Sequence, residues 1–207
     1  MSFKRLIGAF SMNILILLAI GITMVFNAGK DFIISFKPAI SFEDMLDGKE
    51  VKAGSHVAGE VIYVLDYFAS ESTYTKRSDG SRSGDRANGR YYLIPTADGY
   101  IGLKGRQADV SDMTKITDET YEFLMGGAEP TTTIHMEGSV EVMEDQLAKY
   151  FKEYLMDMDY TESEIEEMGE PLVIQIRSFM AVRILFLIGV VLVAVGVFLI
   201  YRGYRNN

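Results

Sequence analysis

Two long apolar runs lie near the two ends of the chain, and the sequence between them mixes polar and apolar residues. Residues 184–201 carry no charge, and the run continues upstream with Arg183 as its one interruption. A helix rises about 1.5 Å per residue, so such a run crosses about 30 Å of hydrocarbon. Residues 6–26 form a second run that is polar only at Ser11, Asn13 and Thr23. The pattern predicts transmembrane helices at residues 6–27 and 179–201.

The first run is longer than the apolar segment of a cleaved signal peptide, which holds about 7–15 residues. It ends in Phe-Asn-Ala-Gly-Lys at residues 26–30, which lacks a good A-x-A cleavage site. We therefore expect an uncleaved anchor, with a cleaved signal peptide as the alternative.

Alternation of apolar and polar residues predicts strands in the middle of the chain. Asp98-Gly99 is a hairpin signal between two of them, and residues 70–89 are too polar for anything but a loop. Because both spans must enter one domain, we expect the first and last strands to pair. The predicted strands are residues 32–36, 57–68, 90–95, 100–104, 131–143 and 172–176.

Helical spacing follows later in the chain. Residues 117–125 read as a helix that Gly126 stops, and residues 147–158 carry a broad apolar stripe. Thr161 and Glu164 have the spacing of a capping box. Strands with helices inserted late predict an α+β domain at residues 28–178, either a small barrel of the OB type or another mixed sheet.

Charge is concentrated in this middle domain. It holds all 29 acidic residues but only 15 of the 20 basic ones, a net charge of −14. Such a domain repels nucleic-acid backbones, so nucleic-acid binding is excluded. The absence of cysteine excludes disulfides, thiolate nucleophiles and iron–sulfur ligation, and it is compatible with export.

The basic residues that flank the spans are evenly divided between the two sides. Four lie on the terminal side and four on the domain side. A long loop crosses the membrane largely regardless of its charge, so we expect tails 1–5 and 202–207 in the cytoplasm. The middle domain is then extracytoplasmic in a two-pass protein of the cell membrane. The eight residues are Lys4, Arg5, Arg202 and Arg205, and Lys30, Lys37, Arg177 and Arg183.

One basic patch interrupts the acidic domain. Its members are candidates for binding an anionic surface, such as lipid head groups or wall polymers. The alternative is a solvated, flexible loop. The patch consists of Lys76, Arg77, Arg82, Arg86 and Arg90.

The same loop contains a weak cation motif. Asp79, Ser81 and Ser83 alternate as in adhesion sites that bind a hard cation. However, Arg90 stands where an EF-hand loop needs glutamate, and no buried strand precedes the motif. We predict a solvated loop with no metal and no cofactor.

His56 and His135 are the two histidines, and either one could join carboxylates, for example His135 with Glu137, as a metal ligand or general base. Neither has a third ligand motif, and the chain lacks a G-x-S-x-G nucleophile elbow. The acidic run at residues 162–170 reads as a solvated helix face. We predict no catalytic residue.

Small residues lie at helical spacing in both spans. Gly189 and Gly196 share one helix face, and Ala19 and Thr23 form a pair in the first span. They predict packing of the spans on each other or on a second copy. The alternative is that they face lipid.

Three blocks carry a resemblance to a known group of proteins: residues 91–95 (YYLIP), 98–102 (DGYIG) and 136–140 (MEGSV). Set between terminal spans, they resemble uncharacterised two-span membrane proteins of Gram-positive bacteria. The resemblance covers most of the chain and implies no activity, so it transfers no functional residue.

The sequence thus favours a non-enzymatic interaction or sensing module whose partners are the lipid bilayer and a protein or a second copy. One alternative is an accessory subunit of a transport or secretion complex. Another is an extracytoplasmic hydrolase that uses His56 or His135.

Overall fold

The computed structural model describes residues 12–76, 78 and 80–206. A short 3-10 turn, Gln107–Asp109, precedes the third helix. In chain order the elements are α1 (Met12–Ile34), β1 (Ala39–Ile40), α2 (Phe42–Leu46), β2 (His56–Val61), β3 (Tyr67–Thr73), β4 (Arg86–Thr96), β5 (Gly99–Arg106), α3 (Val110–Leu124), β6 (Ile134–Val142), α4 (Asp145–Asp157), α5 (Glu162–Glu167), β7 (Leu172–Ile176) and α6 (Phe179–Asn206).

The chain divides into two units. The helical unit takes the described residues up to Lys37 together with those from Ser178, and the sheet domain is Pro38–Arg177. The helical unit consists of α1 and α6, which are both long and apolar enough to cross a membrane.

Glycine allows α1 and α6 to pack closely. A Cβ added at Gly21 would lie 2.9 Å from the Gly189 carbonyl oxygen, and one at Gly189 would lie 3.0 Å from the Gly21 carbonyl oxygen. The two backbones therefore approach at a distance that only a residue without a side chain permits.

The predicted strand at residues 32–36 is wrong, because α1 continues to Ile34. Arg183 closes this helix end: its Nε donates to the Ser35 hydroxyl at 2.9 Å, and its guanidinium also donates to the Ser35 carbonyl. The same guanidinium lies 4.7 Å from the ring centroid of Phe36. The charge that interrupts the second apolar run thus satisfies carbonyl and hydroxyl groups at the end of the first helix.

The sheet domain is built on one seven-stranded mixed sheet with the order β1-β2-β6-β7-β5-β4-β3. Two neighbouring pairs are parallel, β1 with β2 and β5 with β7, and the others are antiparallel. The sheet is not closed, since β1 and β3 are its edges. The OB-type barrel is therefore wrong, and the α+β mixed sheet with helices is what the chain forms.

Two apolar cores lie on opposite faces of this sheet. Consecutive residues of β4 alternate between them, with Tyr92 and Ile94 in one core and Leu93 in the other. The first core is covered by α2 and α3 and the second by α4 and α5. The helix residues in the first core are Phe42, Met45, Met113 and Ile116, and those in the second are Phe151, Leu155 and Ile165.

Several local predictions are confirmed. β4 and β5 form the hairpin around Asp98-Gly99, with Thr96 opposite Gly99. The apolar stripe lies in α4, and Thr161 and Glu164 form the capping box of α5.

Four local predictions differ from the structure. The loop predicted at 70–89 is shorter, because β3 continues to Thr73 and β4 begins at Arg86. The strand at 57–68 is split, because the Val64 amide leaves the ladder and donates to the Thr120 hydroxyl at 3.2 Å. The third helix begins at Val110 rather than at 117. The last strand, β7, lies between β5 and β6 instead of pairing with the first strand.

The register of the sheet brings the two ends of the domain to one level. Ala39 is opposite His56, His56 opposite Ser139, and Ser139 opposite Gln175. The chain enters the sheet at Ala39 and leaves it just after Gln175. These points lie three strand spacings apart, about 14 Å. We call the end of the sheet where β7 stops, at Ile176, the tether end.

Candidate functional site

A groove of about 930 Å³ lies at the end of the sheet opposite the tether end. We call this the groove end. Its walls are the segment before β2, the β4–β5 turn, and α5 with the segment that leads into β7. The lining residues are Met45, Lys49, Glu50, Val51, Lys52, Ala53, Thr96, Asp98, Tyr100, Ile101, Tyr160, Glu164, Glu167, Met168, Glu170 and Leu172.

Carboxylates outnumber lysines in the groove by five to two. Both lysines already have partners, since Lys49 lies 3.2 Å from Asp44 and Lys52 lies 2.9 Å from Glu50. The opposite wall, formed by α5, contributes Glu164 and Glu167. The groove therefore presents a net negative surface.

Local structure holds Glu164 in place. Its carboxylate accepts from the Thr161 amide at 2.8 Å and from the Thr161 hydroxyl at 2.7 Å. These bonds lower the pKa of Glu164, the amide contributing most. The carboxylate that caps α5 is therefore ionised at neutral pH, on the groove wall.

Two tyrosines form the aromatic part of the lining. The hydroxyl groups of Tyr100 and Tyr160 are 2.8 Å apart, and their rings meet edge to face at 5.8 Å. Burial, together with the bond to Tyr160, raises the pKa of Tyr100 to about 12. Tyr100 therefore stays protonated near neutral pH, and the groove offers its neutral hydroxyl among carboxylates.

The two histidines lie elsewhere, on β2 and β6. His56 is buried, with Nε2 3.3 Å from a carboxylate oxygen of Glu137, whereas His135 is exposed, with Nδ1 3.1 Å from Glu60. Neither histidine lines the groove. The described residues also contain no group of three or more His, Asp or Glu side chains that could hold a metal ion.

The predicted basic patch lies on β4 and on the connection that precedes it. Lys76, Arg82 and Arg86 are exposed, and Arg90 is half-buried. Arg82 lies 5.0 Å from the ring centroid of Tyr74, and Arg90 lies 4.3 Å from that of Tyr67. Arg77 and Asp79 lie outside the described residues. We call residues 71–90 the basic arm.

The predicted packing residues of the spans fall into two groups. Gly189 and Gly196 are buried in the helical unit. Ala19 and Thr23 are exposed, so the contact face of α1 is carried by Gly21 instead. Tail 1–5 and residues 6–11 of the first run lie outside the described residues.

Sequence reasoning missed the groove. It read the acidic run at residues 162–170 as a solvated helix face, and Glu164, Glu167 and Glu170 are exposed, but it did not predict that they line one wall of a groove. The contact that joins the walls, Tyr100 with Tyr160, spans 60 residues and leaves no mark in local periodicity. One local signal in the sequence pointed to this wall of the groove: the capping box of Thr161 and Glu164, which fixes where α5 begins.

Comparison with known proteins identifies a family to which the chain belongs but no relative of known function. No curated protein and no solved structure matches the chain. The chain belongs to the family described as domain of unknown function DUF8577, whose model matches residues 4–202.

Proposed function

We propose that the chain is a membrane-anchored interaction module that presents the groove to a partner on the outer side of the cell membrane. In this proposal α1 and α6 span the bilayer and both tails are cytoplasmic. The proposal also includes the resemblance of the chain to two-span membrane proteins of Gram-positive bacteria. The observation that carries the proposal is a negative groove of about 930 Å³ at the end of the sheet opposite the point where β7 leaves it.

The short connections support an interaction role. Arg177 and Ser178 separate β7 from α6, and residues 35–38 separate α1 from β1. Two short connections restrict how far the domain can turn, which suits docking of a partner at a fixed height.

The chemistry of the groove favours a partner with positive charge. Glu167 and Glu170 are exposed and line one wall, while Met168 and Leu172 add apolar surface. A protein segment that carries Lys or Arg beside apolar side chains would match both properties.

The hydrolase alternative receives less support from the geometry. A general base is expected in a cleft that can hold substrate, and both histidines lie outside the groove. The transport alternative depends on charge within the spans, and Arg183 is engaged in closing the end of α1.

Photo-crosslinking in native membranes tests the proposal. A photoreactive amino acid replaces Glu167, which lines the groove, or Glu166, its exposed neighbour on α5 that does not. We expect a discrete crosslinked protein from position 167 and at least about five-fold less from position 166. A double replacement, Glu167→Lys with Glu170→Lys, should weaken capture of the same partner from a third groove position, Asp98.

Equal crosslinking from positions 166 and 167, or none from any groove position, would contradict a groove-bound partner. Protease added to intact cells tests the orientation separately. Digestion of the sheet domain is expected, and full protection would place the domain in the cytoplasm.

A further inference from the structure

We infer that the basic arm binds the head groups of anionic phospholipids in the same bilayer that α1 and α6 cross. This inference rests on the membrane location proposed above. It adds a second contact surface, at the opposite end of the sheet from the groove.

The register places the arm at the tether end. Lys104 is opposite Gln175, so Arg106 lies level with Arg177, and Gly89 is opposite Arg106. From Gly89 the strands β3 and β4 continue to the Thr73–Arg86 pair. Three more residues of strand extend about 10 Å beyond the level of Arg177, before the connecting segment begins.

Chain length keeps this end of the sheet near the apolar run. Arg177 and Ser178 are the two residues between β7 and α6, and 184–201 is the charge-free run within α6. Whatever the arrangement of the two units, Arg177 cannot be farther from Ile184 than the chain between them reaches, about 25 Å fully extended. Arg177 therefore stays close to the apolar run, and the inference is that the arm, which extends from the same end of the sheet, reaches the lipid head groups.

The arm carries the opposite charge to the rest of the domain. Residues 71–90 hold five basic and three acidic residues, while the whole middle domain has a net charge of −14. Among the described residues no carboxylate forms an ion pair with Lys76, Arg82 or Arg86. Three exposed cations without a described carboxylate partner are complementary to phosphate groups.

An aromatic side chain accompanies these cations. Tyr74 is 54% exposed, and Arg82 lies over its ring at 5.0 Å. Tyrosine is enriched at the membrane–water interface, where its ring packs among head groups and its hydroxyl stays hydrated. An exposed tyrosine in contact with Arg82, on an arm with two further exposed cations, fits a lipid surface better than it fits a soluble polyanion.

The experiment uses the full chain in lipid nanodiscs. The natural chain has no cysteine, so a single environment-sensitive dye can be attached at Gly84→Cys, where an added Cβ meets nothing within 4 Å. Each Lys or Arg near an anionic surface increases partitioning about five-fold, so three give about 100-fold. We expect the dye to report lipid contact in discs that contain about 30% anionic lipid and little contact in neutral discs. Raising the salt concentration should abolish the contact in the anionic discs.

Charge reversal identifies the residues responsible. Lys76→Glu with Arg82→Glu and Arg86→Glu should abolish the dependence on anionic lipid. The matched control, Lys115→Glu with Lys149→Glu and Lys152→Glu, makes the same change in net charge at exposed positions on α3 and α4 and should leave the dependence intact. If the triple arm variant does not fold, the single variant Arg82→Glu and the salt dependence of the wild type test the same point. Both should show that lipid contact depends on the charge of the arm.

Three results would overturn the inference. These are the same dye signal in neutral and anionic discs, equal loss in the arm and control variants, and tight binding of a soluble polyphosphate to the arm in neutral discs. The last result would assign the arm to a soluble or wall polyanion. Failure of the chain to insert into any disc would instead contradict the membrane location in the proposed function.

Discussion

The two ends of the sheet differ in charge and in how they are built. The groove end gathers five carboxylates from three separate segments around a tyrosine pair. The tether end carries the basic arm, which is a local hairpin with three exposed cations. Strand β4 joins them, with Arg86 at one end and Thr96 at the other, about 35 Å along 11 residues. The net charge of −14 is thus an average over two unlike surfaces.

The difference shows that the two surfaces depend on different parts of the fold. The groove exists only when α5, the β4–β5 turn and the segment before β2 meet, so it requires the whole domain. The arm requires only that β3 and β4 pair with each other and that β5 supports their base. A substitution in the arm should therefore disturb the arm without affecting the groove. A substitution that unfolds the core should abolish both surfaces.

The largest effect is expected from Gly138→Val, which should unfold the sheet domain and so abolish both the groove and the basic arm. A Cβ at Gly138 would lie 2.3 Å from the Gln175 carbonyl oxygen, in the pairing of β6 with β7 at the centre of the sheet. Backbone atoms cannot move aside cheaply, so we expect a loss of more than about 3 kcal/mol. Thermal unfolding in detergent measures it. Gly84→Ala is the control and should change nothing, and wild-type stability in Gly138→Val would refute the central pairing.

Next in size is Gly189→Leu, which should separate α1 from α6 while leaving both ends of the sheet folded. A side chain at Gly189 would collide with Gly21 and with Val25, at 3.0 and 2.9 Å from the Cβ. We expect about 2–3 kcal/mol less stability of the helix pair. Spin-label distances between the two helices measure it. Gly29→Ala is the control, since its Cβ would reach only Phe186, at 4.0 Å.

A smaller and more selective effect is expected from Gly89→Val, which should disturb the tether end alone. A Cβ at Gly89 would lie 2.1 Å from the Gly105 carbonyl oxygen, at the base of the arm. Amide hydrogen exchange should become faster in the β3–β4 pairs beyond this point. Crosslinking from Glu167 in the groove should stay at the wild-type level. Loss of groove crosslinking would mean that the two ends are not independent.

The smallest effect is a dependence of stability on acid pH. Bonds from Thr132 and Thr131 lower the pKa of Glu119 to about 2 from its ordinary 4.5. Because the folded pKa is depressed, this stabilisation is complete above pH 4.5 and is lost as the pH falls toward 2. At the groove end the pKa of Glu164 is lowered in the same direction.

Replacement of Glu119 by Gln should therefore lower the midpoint of thermal unfolding at pH 6 and make less difference at pH 3. Glu122→Gln is the control, because Glu122 lies about one helical turn after Glu119 on α3 and is exposed. This variant should unfold at the same temperature as the wild type at both pH values. An equal effect of Glu119→Gln at both pH values would contradict the role given to the Thr131–Thr132 bonds.

Prediction from sequence succeeded where the signal was local. The β4–β5 hairpin follows from Asp98-Gly99, and the start of α5 follows from Thr161 and Glu164. It failed where a distant partner decides: Arg183 ends α1 where a strand was predicted, and Thr120 takes the Val64 amide out of a strand. The groove belongs to the second class, because Tyr100 and Tyr160 meet only in the folded domain.

Strand order also lies beyond local signals. β7 reads like any short buried strand, and only pairing with β5 and β6 shows that it fills the centre of the sheet. The basic arm is intermediate, since its charges are visible in the sequence but its place at the tether end depends on the Gly89–Arg106 register.

The most direct test measures how close each end of the sheet comes to lipid head groups. One donor dye is placed at Gly84→Cys in the arm or at Glu167→Cys in the groove, and acceptor dyes are carried by lipid head groups in nanodiscs. If the basic arm binds lipid head groups as inferred, energy transfer is strong from position 84 and weaker from position 167, because the two positions lie at opposite ends of a sheet whose strand β4 is about 35 Å long. Equal transfer from both positions, or stronger transfer from position 167, would contradict it.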